Sequence, residues 1–219
     1  MLSSHVKRAV GVLCLCSVLL ACQSAMYRAL ETVGIEKRDI LVDRIAEARD
    51  AQSAAKDQFS SALDQFRSIV TVQGGDLEET YDRLNAGYER TQARADAVDQ
   101  RISAVERVAN DLFAEWEREL DEYSSPALRA DSARLLRDTE RRYGELIRAM
   151  HRAQGRMEPV LAVFHDNVLA LKHNLNAQAI RGLKGELASI ERQTAALIRD
   201  MERAIAEADQ FIQGMQQQS

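Results

Sequence analysis

The chain has 219 residues, 29% of them charged, only 5% aromatic, with 2 Pro, 10 Gly and a net charge of −5. So few breakers exclude a β-sandwich, a barrel or a doubly wound sheet, which need frequent turns; charge-rich, aromatic-poor chains favour long helices. The acidic balance argues against general nucleic-acid binding.

Residues 1–21 read as an address. Lys7 and Arg8 precede an apolar run, Ala9 to Ala21, of 13 residues. A spanning helix needs roughly 20, so a secretory signal fits better than a permanent anchor. The run ends Leu19-Leu20-Ala21-Cys22, which resembles the bacterial lipobox. That resemblance implies a diacylglyceryl thioether on Cys22, cleavage before it, and acylation of the new amine. An ordinary signal cut a few residues later, leaving a free thiol, is the rival. Cys14 and Cys16 leave with the leader, so Cys22 is the lone mature thiol; a free thiol is unusual in an oxidising compartment, and acylation removes the anomaly. Several acyl chains give stable anchoring. Gln23, where an Asp would resemble an inner-membrane retention signal, points to the inner leaflet of the outer membrane, facing the periplasm. Loss of Lys7 and Arg8 takes the net charge from −5 to −7.

Residues 22–36 form a lipidated N-terminus with a short amphipathic stretch (Ala25, Met26, Leu30, Val33) before Gly34. It can lie on the membrane surface or pack against the base of the following domain.

From 37 to 215 an apolar period near 3.5 runs almost unbroken. The first stripe is Leu41, Ile45, Ala48, Gln52, Ala55, Phe59, Ala62, Phe66 and Ile69. The second runs from Leu77 and Tyr81 through Val98, Ile102 and Val105 to Leu112, Trp116, Leu120 and Tyr123, with a stutter at the 112–116–120 step. The third runs from Leu128 and Leu135 through Leu146, Met150, Met157 and Phe164 to Leu171; the fourth from Ile180 and Leu183 through Leu197 and Met201 to Met215. Gly74-Gly75-Asp76 breaks the first two, with Asp76 as N-cap. Ser124-Ser125-Pro126 sets a cap before a Pro at the first helical position. Near Asn174–Asn176 the stripe loses phase, which predicts a turn; one continuous third helix is the rival. The pattern therefore predicts an all-α fold: an elongated antiparallel helical bundle or coiled coil of four long helices, over 38–71, 77–123, 126–173 and 177–214. A three-helix or splayed form and homo-oligomers stay open. Residues 216–219 read as a frayed tail.

Pro159 lies inside the third helix, four residues after Gly155. Its missing donor predicts a kink near 155–159, either passive or a hinge. Residues 110–122 carry six acids and one Arg, and 129–156 carry eight Arg and four acids, so the hairpin sets opposite charges face to face. Arg148, Arg152 and Arg156 are left as a basic patch or a solvated face.

Catalytic, cofactor and metal signals are missing. His151 and His165 would stand about 20 Å apart along one helix, and His165 and His173 about 12 Å. No His-x-x-x-His, Glu-x-x-His, Gly-rich phosphate loop or nucleophile motif occurs. Tyr81, Tyr88, Trp116 and Tyr123 fall on the stripe and read as core with polar tips outward.

The stretches KRDILVDRIAEARDAQ (37–52), GGDLEETYDRLNAGYE (74–89), FAEWERELDEY (113–123) and MEPVLAVFHDNVLALKHNLNAQAI (157–180) resemble a family of predicted bacterial lipoproteins, a domain of unknown function (DUF2959), across about residues 20–212. The resemblance implies an envelope lipoprotein with a helical domain and the lipid-bearing Cys22. It carries over no activity. The expectation is a non-enzymatic structural or adaptor protein, held to the membrane by its acyl chains (palmitate among them) and docking another envelope protein. The alternative is a periplasmic chaperone or carrier whose bundle opens around an apolar client.

Overall fold

The computed structural model describes residues 37–71, 77–173 and 177–217; the side chains of 71, 77 and 177–181 are not among them. The leader, Cys22, the 25–33 stretch, Gly74-Gly75-Asp76, the Asn174–Asn176 turn, and the side chains of Leu77 and Ile180 lie outside the described residues.

Four α-helices carry the fold: α1 Lys37–Thr71, α2 Leu77–Glu119, α3 Pro126–His173 and α4 Ala177–Gln216. A single 3-10 turn, Leu120–Glu122, ends α2 before the expected 123, and Tyr123 then takes an extended backbone (φ −69°, ψ 119°) that turns the chain. Ser125 caps α3 as its sequence requires: its Oγ accepts the Leu128 N–H at 3.4 Å, and its carbonyl accepts the Arg129 N–H at 3.0 Å. α3 runs unbroken through Gly155 and Pro159. α3 ends at His173 and α4 starts at Ala177; Arg156 of one meets Asp200 of the other and Tyr143 meets Phe211, so these are two helices packed side by side and not one. α4 reaches Gln216, one residue into the expected tail.

α1 packs against α2 and α4, and α3 packs against the same two, which makes a helical bundle with each helix touching two neighbours. Partner numbers fall as each helix advances. On α1, Lys37 meets Glu115 and Arg101 meets Glu47; Arg49 meets Asp209 and Arg67 meets Glu191. On α3, Tyr143 meets Phe211 and Arg156 meets Asp200. Neighbouring helices thus run in opposite senses.

The stripes are what this packing buries. All nine first-stripe positions, Leu41 to Ile69, are buried, as are Val98, Ile102 and Val105 of α2, Leu146, Met150 and Phe164 of α3, and Leu197, Met201 and Phe211 of α4. Phe59 and Phe164 stack across the bundle with ring centres 6.5 Å apart. A second, adjacent stripe is also buried, including Ile40, Leu63, Val108, Ala149, Ala153 and Leu161. A helix with two partners needs a broader apolar face than one seam. At Gly87 a Cβ would stand 2.6 Å from Gln65 Oε1, so a side chain there would require the Gln65 amide to move aside.

Polar groups sit in this interior. Thr91 and Thr139 donate to the carbonyls of Gly87 and Leu135, and Asn167 Nδ2 donates to the Val163 carbonyl at 2.6 Å. Gln52 differs. It is fully buried, and neither its amide nitrogen nor its oxygen has a hydrogen-bond partner; Thr194 Oγ1 is in the same position.

At one end the packing stops early. Lys37, the first residue of α1, stands beside Glu115, and Gly214 near the end of α4 stands beside Arg142. The α2–α3 hairpin continues beyond both, by roughly 10–15 Å on the α2 side. Leu128, expected on the stripe, is 58% exposed and Tyr123 is 42% exposed. Among the described residues, neither α1 nor α4 extends over them.

Candidate functional site

Both wide clefts described lie on the α2–α3 hairpin. The first, about 570 Å³, runs along its middle and is lined by Tyr88, Asp96, Asp99, His151, Gln154 and Glu158, among others, with Gly155 on its wall. Helical spacing builds it. Asp99 and Glu106 are two turns apart on α2, and His151 and Gln154 are one turn apart on α3. Gln154 Nε2 donates to Asp99, His151 Nδ1 lies 2.7 Å from Gln154 Oε1, and His151 Nε2 lies 2.8 Å from Glu106. The result is a polar chain that ties the two helices across the cleft. His165 meets the Tyr88 ring at 5.1 Å instead.

Partial burial pulls the His151 pKa down. The hydrogen bonds that Gln154 Oε1 and Glu106 accept from the ring, together with the charges of Glu106 and Asp99, outweigh that and leave it above 6.5. A raised folded-state pKa stabilises the protein fully below the unfolded value and loses that contribution as pH rises through the folded value. The ring is 45% exposed, so the contribution stays under about 1 kcal/mol. The expected outcome is an imidazole NMR titration midpoint for His151 above 6.5, moving down in Glu106→Gln. A midpoint unchanged by that substitution would remove the pair from the account.

The second cleft, about 680 Å³, lies at the hairpin tip, with Lys37 and Arg38 on one side and Leu112, Trp116, Tyr123 and Leu128 on the other. Trp116 Nε1 donates to Ser132 Oγ at 2.9 Å, joining α2 to α3, and the Arg38 guanidinium lies 5.7 Å from the Trp116 ring centre. Below it Tyr143 packs edge-on against Phe113 and Phe211. Burial, then the Glu106 charge, raises the pKa of its phenol.

The interior offers far less room. A cavity of about 10 Å³ beside Gln65, Gly87 and Asn167 has the volume of one water.

Several sequence expectations meet this geometry. The acidic run and the start of the basic run meet at Asp121–Arg129, 2.5 Å apart, while Glu115 pairs with Lys37 of α1. Arg156 is taken by Asp200 of α4, so the Arg148, Arg152 and Arg156 trio is not a patch of three free cations. The Asp99–Gln154–His151–Glu106 chain was not legible in advance. Mirroring about Ser125 sets Glu106 opposite Gly144; its actual partner His151 lies two turns further on.

Among the described residues no group of three His, Cys, Asp or Glu side chains is placed to hold a metal ion, and no helix is long and apolar enough to cross a membrane. Comparison with curated proteins and with solved structures gave no match. Residues 26–215, nearly all of the helical bundle, match the model of a protein family of unknown function, DUF2959, and the chain belongs to that family.

Proposed function

We propose that this chain is a bacterial envelope lipoprotein, held through acyl chains on Cys22 in the inner leaflet of the outer membrane, with its bundle in the periplasm as a structural or adaptor element. The reading takes its anchor from Leu19-Leu20-Ala21-Cys22 after an apolar run too short to span. One observation carries the adaptor role: the two wide clefts described both open outward on one hairpin, while the interior cavity beside Gln65 and Gly87 holds no more than a water. Such a surface suits another envelope protein and needs no cofactor or catalytic group.

The anchor predicts that radiolabelled palmitate enters the wild-type chain and not Cys22→Ser, and that Cys22→Ser leaves the membrane fraction for the soluble one. Equal labelling of both chains would refute it. The adaptor role predicts that a photocrosslinker at Glu158, inside the middle cleft, traps one envelope protein in intact cells, and that one on the outer face at Glu202 does not. Adducts with a second copy of this chain alone would replace the adaptor by a homo-oligomer.

A second reading has its own observation. Gln52 and Thr194 keep unpaired polar atoms in the core, as a bundle that opens around an apolar client would tolerate. Gly155 and Pro159 are the proposed hinge: Pro159 lacks the backbone donor that would bond the Gly155 carbonyl, and Gly155 carries no side chain at that point of α3. Lipid or peptide co-purifying with the chain, and lost in Pro159→Ala, would favour this reading. A ligand-free chain with a single cooperative melt would set it aside.

A further inference from the structure

The geometry points to a proton-operated strap across the middle cleft: the chain from Asp99 to Glu106 is complete only while both nitrogens of the His151 ring carry hydrogen, and losing one of those hydrogens loosens the tie between α2 and α3. Every link of a hydrogen-bonded chain must set a donor against an acceptor. This chain ends in a carboxylate at each side, Asp99 and Glu106, both on α2, and an ionised carboxylate only accepts. Asp99 therefore takes an N–H from Gln154, which fixes how the amide is turned. The amide oxygen then faces His151 Nδ1 at 2.7 Å and needs a hydrogen from the ring. Glu106 faces Nε2 at 2.8 Å and needs the ring's other hydrogen. A neutral imidazole has only one to give. Turning the Gln154 amide over does not help, because its oxygen would then meet Asp99.

Loss of the proton thus sets two lone pairs against each other at one link. The Nε2–H tautomer keeps Glu106 satisfied and leaves Nδ1 repelling Gln154 Oε1. His151 and Gln154 both belong to α3, and each is held at its far end by α2. Either can swing away from the other only by loosening its hold on that helix. The charges acting on the ring are Glu106 and Asp99 of α2, its α3 partner is the neutral Gln154, and Asp200 of α4 is held by Arg156.

The cleft is where such a release has an effect. Asp96 and Glu158 put a carboxylate on each of its walls. Asp96 accepts from Gln92 and not from a cation, so like charges favour parting of the walls once the strap loosens. Tyr88 and His165 meet further along the same cleft, with ring centres 5.1 Å apart. Tyr88 and Asp99 are eleven residues apart, about 16 Å of helix, so the strap and the ring contact bound the opening between them. Its use rests on the adaptor reading: if a partner docks in this cleft, acid holds the cleft strapped, and a rise in pH through the His151 midpoint frees it.

The strap is tested by NMR titration of the isotope-labelled full chain in detergent. Below the His151 midpoint, both ring nitrogens should carry protons that exchange slowly with water, and Overhauser contacts should join the Gln154 amide to Asp99 and the His151 ring to Glu106. From one pH unit below the midpoint to one above, the protonated fraction falls about tenfold, and at least one of the two contacts should fall with it. Gln154→Leu separates the strap from plain attraction between charges. It removes no charge, yet it should lower the His151 midpoint, because the ring loses the acceptor that needs its second hydrogen. Two cross-helix contacts that both persist unchanged through the titration would overturn the strap, and so would an unaltered midpoint in Gln154→Leu. The photocrosslinker at Glu158 then tests the use of the strap. Capture of a partner that rises above the midpoint in the wild type, and is independent of pH in Gln154→Leu, supports gating. Capture that ignores pH while the contacts titrate overturns gating. No capture at any pH, with the contacts titrating as expected, sets aside the adaptor reading and leaves the strap standing.

Discussion

Replacing Phe59 by Ala is expected to remove about 3–5 kcal/mol of stability. Phe59 is fully buried on α1 and stacks on Phe164 of α3, a helix that is not one of its main packing partners. The ring thus reaches across the bundle, where its burial and the facing Phe164 ring hinder collapse of the gap. Residual cavity volume adds to the lost transfer energy when such collapse is hindered. A domain of this kind is held by about 5–15 kcal/mol in total, so the loss is a large share. Urea unfolding followed by helical circular dichroism should show a lower midpoint with an unchanged slope. A loss under about 1 kcal/mol would mean that the ring does not occupy the core.

Gln52→Leu is expected to act in the opposite direction, adding about 1–3 kcal/mol. The position is fully buried and both ends of the amide lack hydrogen bonds. Each unmet polar group keeps its desolvation cost, and a leucine of similar volume removes it. Gln and Leu have nearly equal helix propensities, so the change reports burial rather than local preference. A single polar residue in an apolar seam can also fix register and partner number at a cost in stability. The variant should therefore be examined by sedimentation as well as by melting. A stabilised chain that stays in one oligomeric state would separate the polar penalty from a register role, whereas a destabilised one would show that the amide has a partner in solution.

Much of the helical plan could be read from the stripe. Helix starts at 77, 126 and 177 coincide with the expected ones because Gly-Gly, Ser-Pro and Asn leave few alternatives, and the α1 stripe is buried without exception. The errors collect at the hairpin tip. Leu128 and Tyr123 have the right period, but periodicity along one helix does not say where its partners end. The stutter at Leu112–Trp116–Leu120 was the available clue, since those three are only half-buried. The second buried stripe was missed for a related reason: a single seam describes a pair of helices, and each helix here has two neighbours. The middle cleft was least legible, because its polar chain depends on register between helices, which local spacing does not fix.

An even number of alternating passes has a practical meaning for labelling. Arg49 lies against Asp209, so α4 comes back to the end at which α1 begins. A fluorescent fusion placed after α4 would therefore report from the end at which the described part of α1 begins. An epitope inserted within 72–76 would instead be carried about 50 Å away, the length of α1.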